Sequence, residues 1–504
     1  MLSVSDPVPF PAPPAAFNMA AHVLAQADRL GDKPALEIVG PDMTIWTYAQ
    51  ISAAVRGTAT GLRELGLTAG DHLLLQLGNT AEFPITYLGA IAAGIIPVPV
   101  SSQLTVPEIT AIAATIRPAL TIRAAGMAEA PGRVIAADIL ADFHRLPPAD
   151  FAMGDPSRPA YIIYTSGTSG KPRPVVHAHR AIWARQMMWD GWYGLCESDR
   201  LLHAGAFNWT YTLGTGLMDP WSIGATALIP ADGTQADQLP VLLADHGATI
   251  FAAAPGVYRR MLRAGFPALP TLRHGLSAGE KLAEDYRTDW QARTGTPIYE
   301  AFGMSECSTF ISGSPARPAP AGSSGYAQPG RHVAMLGAEG PVPRGTPGTI
   351  AIHRSDPGLM LGYLDAPDET AARYQGDWFL TGDIGIMDVD GAITYAGRAD
   401  DMMNAGGYRV SPVEVEDALT AHPLISEAAA CAVQLRTGLC VIAAFYVATD
   451  VIAEAELRHF MAQRLAGYKL PRIYEARDAL PRGANNKMLR RVLRTEWETA
   501  HGQA

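Results

Sequence analysis

The sequence predicts an α/β protein: a large N-terminal domain of parallel-rich sheets flanked by helices, then a small C-terminal α+β domain. Three observations predict it. At 504 residues the chain exceeds what one compact core organises, so two or more domains are expected. From about Trp46 short apolar runs alternate with segments of helical periodicity, the pattern of parallel strands joined by helices. Beyond about Thr349 that texture gives way to short strands joined by Asp-Gly and Gly-Asp turns.

The elements follow in order. Tyr48 to Leu65 carries Ile51, Ala54, Val55, Leu62 and Leu65 at helical spacing, and Gly66 is the expected stop. His72 to Gln76 is a short apolar strand, Phe83 to Gly94 an apolar helix, and Ile95 to Val100 a Pro-interrupted strand. Ala119 to Ile122, Ala225 to Ile229 and Thr249 to Ala253 continue the strand series, while the Pro- and Ala-rich Ser314 to Ala321 reads as a surface loop. In the tail, strands are expected at Gly348–His353, Phe379–Asp383 and Ile393–Ala396. Pro412–Thr420 is a helix, two apolar strands lie within Ala428–Val447, and Glu454–Ala466 is an amphipathic helix with Leu457, Phe460, Met461 and Leu465 on one face. A domain of roughly a hundred residues fits that tail.

Composition excludes several function classes. The chain is 48% hydrophobic and 17% charged, and its formal net charge is 39 − 49 = −10. An acidic balance without a basic run argues against nucleic acid or anionic lipid as the main partner, so any polyanionic ligand must be held by local groups. The cysteines (Cys196, Cys307, Cys431, Cys440) form no C-x-x-C pair, which suggests neither a disulfide framework nor a zinc site. Met1 to Phe17 carries an acid and prolines where a signal peptide would be basic and then apolar, and Tyr87 to Val100 is too short to span a bilayer. The expectation is a reduced, cytoplasmic protein without membrane insertion.

The segment Tyr164-Thr-Ser-Gly-Thr-Ser-Gly-Lys-Pro-Arg173 carries the most chemistry. It follows an apolar strand, Tyr161 to Tyr164. Small residues let backbone N–H groups converge, hydroxyls add donors, and Lys171 and Arg173 supply countercharge, the requirements of a phosphate cradle. It is not a Walker A loop, because Pro follows Gly170-Lys171 and no Gly stands at the required spacing before it. A flexible Ser/Gly linker would rarely start at a buried strand and end in Lys-Pro-Arg.

This segment resembles the phosphate-loop signature of the adenylate-forming superfamily, which includes acyl-CoA synthetases, firefly luciferase and nonribosomal adenylation domains. Four further motifs resemble that family in its order: Tyr299-Glu-Ala-Phe-Gly-Met-Ser-Glu306 its adenine and magnesium motif, Trp378-Phe-Leu-Thr-Gly-Asp383 its ribose motif, Gly397 to Arg409 its hinge segment, and Leu480 to Arg490 its C-terminal lysine motif. The resemblance implies an ATP-dependent acid–CoA ligase that uses ATP, Mg²⁺ and coenzyme A, in which the small C-terminal domain is mobile. Ser277 to Glu280 and Phe17-Asn18 resemble benzoate–CoA ligase relatives, which implies an aryl or short-to-medium aliphatic acid.

The implied roles make physical sense. Adenylation turns a carboxylate, a poor electrophile, into a mixed anhydride with a good leaving group, and needs two anions held in line with their charge neutralised. By resemblance, Lys487 bridges carboxylate and α-phosphate. Thr165, Ser166, Gly167, Thr168, Ser169, Gly170 and Lys171 hold the phosphates. Glu306 and Thr168 hold Mg²⁺, a hard cation that favours oxygen ligands. Ala278, Gly279, Glu280, Phe302, Gly303, Met304 and Ser305 line the nucleotide site, and Asp383 with Arg398 meets the ribose. Asp400 is the hinge, which divides the chain into an N-terminal adenylation domain, 1–399, and a C-terminal domain, 400–504, that carries Lys487. Gly406, Gly407 and Tyr408 border the pantetheine channel of CoA. Phe207, Asn208, Trp209 and Gly214 form the acyl pocket, the aromatics as walls and Gly214 with Ala278 and Gly279 as space.

The chain departs from the family pattern in places. Arg173-Pro174 replaces Lys-Gly, Asn486 replaces the Gly before the terminal lysine, and the stretch Val433 to Leu439 is shorter than the corresponding loop of many relatives. The rival reading keeps adenylation and changes the acceptor to a carrier protein. Asn208 and Trp209 give no partner for an α-amine, and the small-molecule acid with CoA remains the expected pair, compatible with a homodimer.

Overall fold

The computed structural model describes residues 1–5, 9–165, 173–399, 401–405, 408–436, 439–465, 467–483 and 488–501. The chain forms two compact units: Ser5–His332 with Ile352–Phe379, and Met1–Val4 with Val333–Ala351 and Leu380–Ala504.

The larger unit is built on a nine-stranded sheet. Its interior strands are parallel: Pro34–Val39, Thr226–Pro230, Arg200–His203, Ile250–Ala253, His274–Ala278 and Ile298–Met304. Antiparallel strands close both edges, Thr44–Thr47 on one side and Ser308–Ser312 with Tyr326–Ala327 on the other. A second, four-stranded sheet (Ile96–Pro99, His72–Gln76, Leu120–Arg123, Val134–Ala136) is parallel throughout. A third, antiparallel sheet joins Pro159–Thr165, Arg173–Ala178 and Gly362–Tyr363.

Local chemistry accounts for the helices. Tyr48–Glu64 starts at a capping box in which Thr47 and Gln50 satisfy each other's backbone N–H, and Gly66 just beyond its end takes φ +87°. Glu82–Ala93 buries Phe83 through Ala93 on all sides, as an apolar helix with no polar stripe must. It ends on Gly94 in the left-handed conformation.

In the smaller unit, strands Val333–Gly337, Gly348–His353 and Trp378–Met387 lie side by side, with Ile393–Arg398 antiparallel to the last. Towards the C-terminus the long hairpin Ile425–Arg436 and Leu439–Ala448 takes Ile473–Ala476 as a parallel third strand. One face of this sheet packs Val415, Leu419, Ile442, Leu457 and Met461, the other Ala429, Val433, Phe445, Leu493 and Trp497. The amphipathic helix is shorter than the periodicity predicts. Helix Glu454–Ala462 ends early, and Leu465 reaches the same core from the following turn, so the apolar stripe persists after the helix stops. Among the described residues no helix is long and apolar enough to cross a membrane, and no cluster of His, Cys, Asp and Glu suits a metal ion.

Candidate functional site

Strands Pro159–Thr165 and Arg173–Ala178 are antiparallel neighbours, with Thr165 opposite Arg173 and Tyr164 opposite Pro174. Ser166, Gly167, Thr168, Ser169, Gly170 and Lys171, which the sequence nominates as phosphate ligands, lie outside the described residues. Pro174 is accommodated within the sheet, its carbonyl accepting the Leu364 N–H at 3.0 Å.

The second nominated motif is held tightly. Strand Ile298–Met304 turns through Ser305 to Cys307 into Ser308–Ser312. Gly303 is required at the crossing, because a Cβ there would fall 2.3 Å from the Ser308 carbonyl oxygen. On the turn, the Glu306 side chain is buried and its Oε1 accepts the Tyr363 hydroxyl at 2.8 Å. Burial, with the Glu306 charge beside it, pushes the Tyr363 phenol up to about 12, so it remains a donor at neutral pH. The Met360 N–H fixes the Glu306 carbonyl at 2.8 Å. The Arg173 guanidinium lies 5.3 Å from the centre of the Tyr363 ring and pairs with Glu369 at 3.2 Å. A chain of contacts therefore runs from Arg173 through Tyr363 to Glu306. Sequence reasoning missed Tyr363, and Gly362-Tyr363 carries no signal of its own beyond a short apolar run.

Glu300 in the same motif accepts the Leu282 N–H at 3.1 Å and meets Arg287 at 3.0 Å. Burial outweighs the pull of Arg287 and raises its carboxyl to about 7. Phe302 packs edge-on to Phe310 at 5.4 Å. The His177 ring bonds through Nε2 to the Ser305 carbonyl at 2.7 Å and stacks on Tyr161.

At the nominated acyl segment, Phe207 is buried against Phe83 with ring centres 5.6 Å apart, and its N–H bonds to Asn79 Oδ1 at 2.9 Å. Asn208 is half-buried beside it. Trp209 lies over Gly279, whose Cβ would fall 2.9 Å from the indole. Gly279, at φ +99°, follows the buried Ala278 and precedes Glu280. Gly214 needs correction. It does not open space for a ligand, because a Cβ at that position would come 2.2 Å from Cζ of Arg185, whose guanidinium already fills it. The segment that holds Gly214, Thr212–Met218, is a wide π-helix, and its Thr215 faces the same guanidinium.

Arg185 was not nominated. It is paired in a buried, bidentate contact with Asp219, 2.9 Å from Nε to Oδ1 and 2.6 Å from Nη2 to Oδ2. Burial works against its charge, and the Asp219 carboxylate outweighs that cost, so the guanidinium stays protonated.

In the smaller unit Asp383 and Arg398 are cross-strand partners, 3.4 Å apart and both largely buried. Asp400, Gly406, Gly407 and Lys487 lie outside the described residues; Tyr408 is placed in strand Tyr408–Val410. The segments flanking two of these positions are joined by Arg490, which holds Glu416 at 2.6 Å and Asp401 at 3.1 Å. Sequence reasoning quoted Arg490 in the lysine motif without assigning it a partner.

Comparison with known proteins follows the same outline. The chain matches the family model described as AMP-binding enzyme over residues 23–364 and that described as AMP-binding enzyme C-terminal domain over residues 414–487. It is 30% identical to the 3-hydroxybenzoate–CoA/4-hydroxybenzoate–CoA ligase of Thauera aromatica, over 96% of this chain and 98% of that one. It is 31% identical to the human mitochondrial acyl-coenzyme A synthetase ACSM2A, over 96% of this chain and 92% of that one. The crystal structure of the anthranilate CoA ligase AuaEII in complex with anthranoyl-AMP superposes with a TM-score of 0.88 at 27% identity, over 97% of this chain and 99% of that one.

Proposed function

The chain belongs to the AMP-binding enzyme family, and from that membership we propose that it is an ATP-dependent acid–CoA ligase acting on an aryl or short-to-medium aliphatic carboxylic acid. The acid's carboxylate attacks the α-phosphorus of ATP, the bond to pyrophosphate breaks, and acyl-AMP results. The CoA thiol then adds to the acyl carbon, loses its proton, and AMP leaves to give acyl-CoA. The observation that carries the reading is likeness over nearly the whole of both chains to a ligase of this chemistry.

The residues fit these roles. Glu306 suits Mg²⁺: it is a buried carboxylate, a hard donor, and its Oε1 is oriented by Tyr363 while Oε2 remains for a cation. Bound there with Thr168, Mg²⁺ would supply charge neutralisation for the phosphates. Thr165 to Lys171 cradle the pyrophosphate end, and Phe302 to Ser305 with Ala278 to Glu280 frame the adenine. Asp383 accepts from the ribose hydroxyls, its carboxylate oriented by Arg398. Lys487 neutralises carboxylate and α-phosphate together in the first step. Rotation about Asp400, at the boundary between 1–399 and 400–504, exchanges Lys487 for the Gly406-Gly407-Tyr408 segment, beside which pantetheine enters. The enzyme works in the cytoplasm.

The test is AMP release from ATP against a panel of carboxylic acids, with and without CoA. AMP and acyl-CoA should appear together when CoA is present. Lys487→Ala should lower the acid-dependent step by about 10²- to 10³-fold, the usual loss of one transition-state charge donor. Adenylate formation that CoA never accelerates would move the acceptor to another thiol.

A further inference from the structure

Between the acyl segment and the Glu306 turn, the larger unit encloses a small cavity with space for a water-sized group. Thr210 and Leu213, just beyond Phe207–Trp209, form one side, and Ser305 and Ser308, flanking Glu306, form the other. Its polar lining is unusual for a core: Arg185 and His177 both face it, with Tyr87 and Tyr161.

Two hydrogen-bonding valences point to an occupant. His177 is 2% exposed, and its Nε2 must carry the ring proton because the Ser305 carbonyl can only accept. Burial lowers its pKa to about 4, so the ring is neutral and Nδ1 is a bare acceptor. Among the described residues that Nδ1 has no partner. Arg185 spends its Nε–H on Asp219, its Nη2 hydrogens on Asp219 and on Tyr193 and Thr215, and one Nη1 hydrogen on Ser308. Guanidinium carries five N–H donors, so one Nη1–H is left. A bare acceptor and a spare donor lining one cavity are complementary to a hydroxyl, which both donates and accepts. An anionic group fits poorly, because Asp219 at 2.6 Å already balances the Arg185 charge.

We propose that this cavity is the subsite for a single hydroxyl substituent on the acyl group of the acid, donating to His177 Nδ1 and accepting from Arg185 Nη1, and that these two residues set substrate preference. The inference rests on the ligase reading. Arg185 takes this position because Gly214 leaves room for it and the buried Asp219 holds it there.

The experiment measures kcat/KM for AMP release with benzoate, its ortho, meta and para hydroxy derivatives, the matching fluorobenzoates, terephthalate, hexanoate and ω-hydroxyhexanoate. At least one hydroxylated acid should exceed both its bare parent and its fluoro analogue, which cannot donate, by about tenfold or more, since an unfilled polar subsite discriminates strongly. Terephthalate should gain nothing over benzoate. His177→Gln keeps an N–H for Ser305 and removes the Nδ1 acceptor, so the hydroxyl-to-fluoro ratio should fall towards one. The wild-type comparison of hydroxyl with fluoro acids stands whether or not that variant folds. Hydroxylated acids turned over no better than their parents, or a ratio unchanged in His177→Gln, would overturn the subsite. No AMP release with any acid would instead sink the ligase reading, and the subsite with it.

Discussion

Replacing Tyr363 by Phe removes the hydroxyl that partners the buried Glu306 carboxylate and leaves the ring in place. The hydroxyl donates to Oε1 at 2.8 Å, and Tyr363 and Glu306 are 5% and 8% exposed, so water cannot readily take over. A hydrogen bond to a charged group is worth about 1.5–3 kcal/mol, and about 1.4 kcal/mol is tenfold in an equilibrium constant. If the bond serves to hold Glu306 for Mg²⁺, most of that loss appears in cation affinity. The Mg²⁺ concentration for half-maximal AMP release should then rise about 10-fold or more. The assay is the Mg²⁺ dependence of AMP release at saturating ATP and acid, with the KM for CoA as the control that should not move. A variant with wild-type Mg²⁺ dependence and a lowered melting temperature would refute the reasoning, because the hydroxyl would then serve folding alone.

Two further predictions concern the frame. Gly303→Ala forces a methyl into the Ser308 backbone, which cannot yield as a side chain can, and should cost about 1–3 kcal/mol by urea unfolding with a matching loss of ATP binding. Acid should unfold the protein early. Burial lowers His22, His177 and His274 to about 4 and His179 and His203 to about 3, so the stability these neutral rings contribute is complete above pH 6.5 and lost as pH falls through 4. Glu300, raised to about 7, works in the opposite sense, its contribution being complete below pH 4.5 and lost as pH rises through 7. The five buried rings outnumber the carboxyls that burial raises, Glu300, Asp219 and Glu416, so the unfolded state takes up more protons and stability should fall as pH drops below about 6. Circular dichroism against pH should show the midpoint between about pH 6 and 4, and native signal persisting at pH 3 would contradict the assignment.

Most of what the sequence made legible is local. The helix after Thr47 was readable because its apolar spacing and its stop at Gly66, just past its end, are both local signals. The Tyr164–Arg173 and Tyr299–Glu306 segments stood out because their chemistry is packed into a few consecutive residues. Of the parallel interior strands of the large sheet, Thr226–Pro230 and Ile250–Ala253 were readable as apolar runs, as strands covered on both faces are. What stayed hidden depends on distant pairs. Arg185 reads as a surface residue, because nothing nearby in the sequence reveals Asp219, 34 positions on. Tyr363 is separated from Glu306 by 57 positions. Gly214 misled for the same reason: a small residue signals close approach but does not say whether a ligand or a guanidinium approaches.

These hidden partners share a location. Along the turn from Tyr299 to Thr309, Trp192 Nε1 donates to the Tyr299 carbonyl, Arg287 to Glu300, His177 to the Ser305 carbonyl, Tyr363 to Glu306, Arg185 to Ser308 and Arg331 to the Thr309 carbonyl. Arg331 is in turn fully buried against Asp356. Buried ion pairs of this kind contribute little net stability, since desolvation offsets their attraction. Apolar replacements would serve a core as well and would leave the turn freer to shift. On the proposed ligase reading, the segment must keep a carboxylate aimed at a cation and phosphates, and it gains from the opposite property, a geometry with few alternatives. The concentration of buried charge behind this one turn is therefore best explained by positioning. Replacing Arg331 and Asp356 together by apolar residues should accordingly cost turnover more than it costs melting temperature.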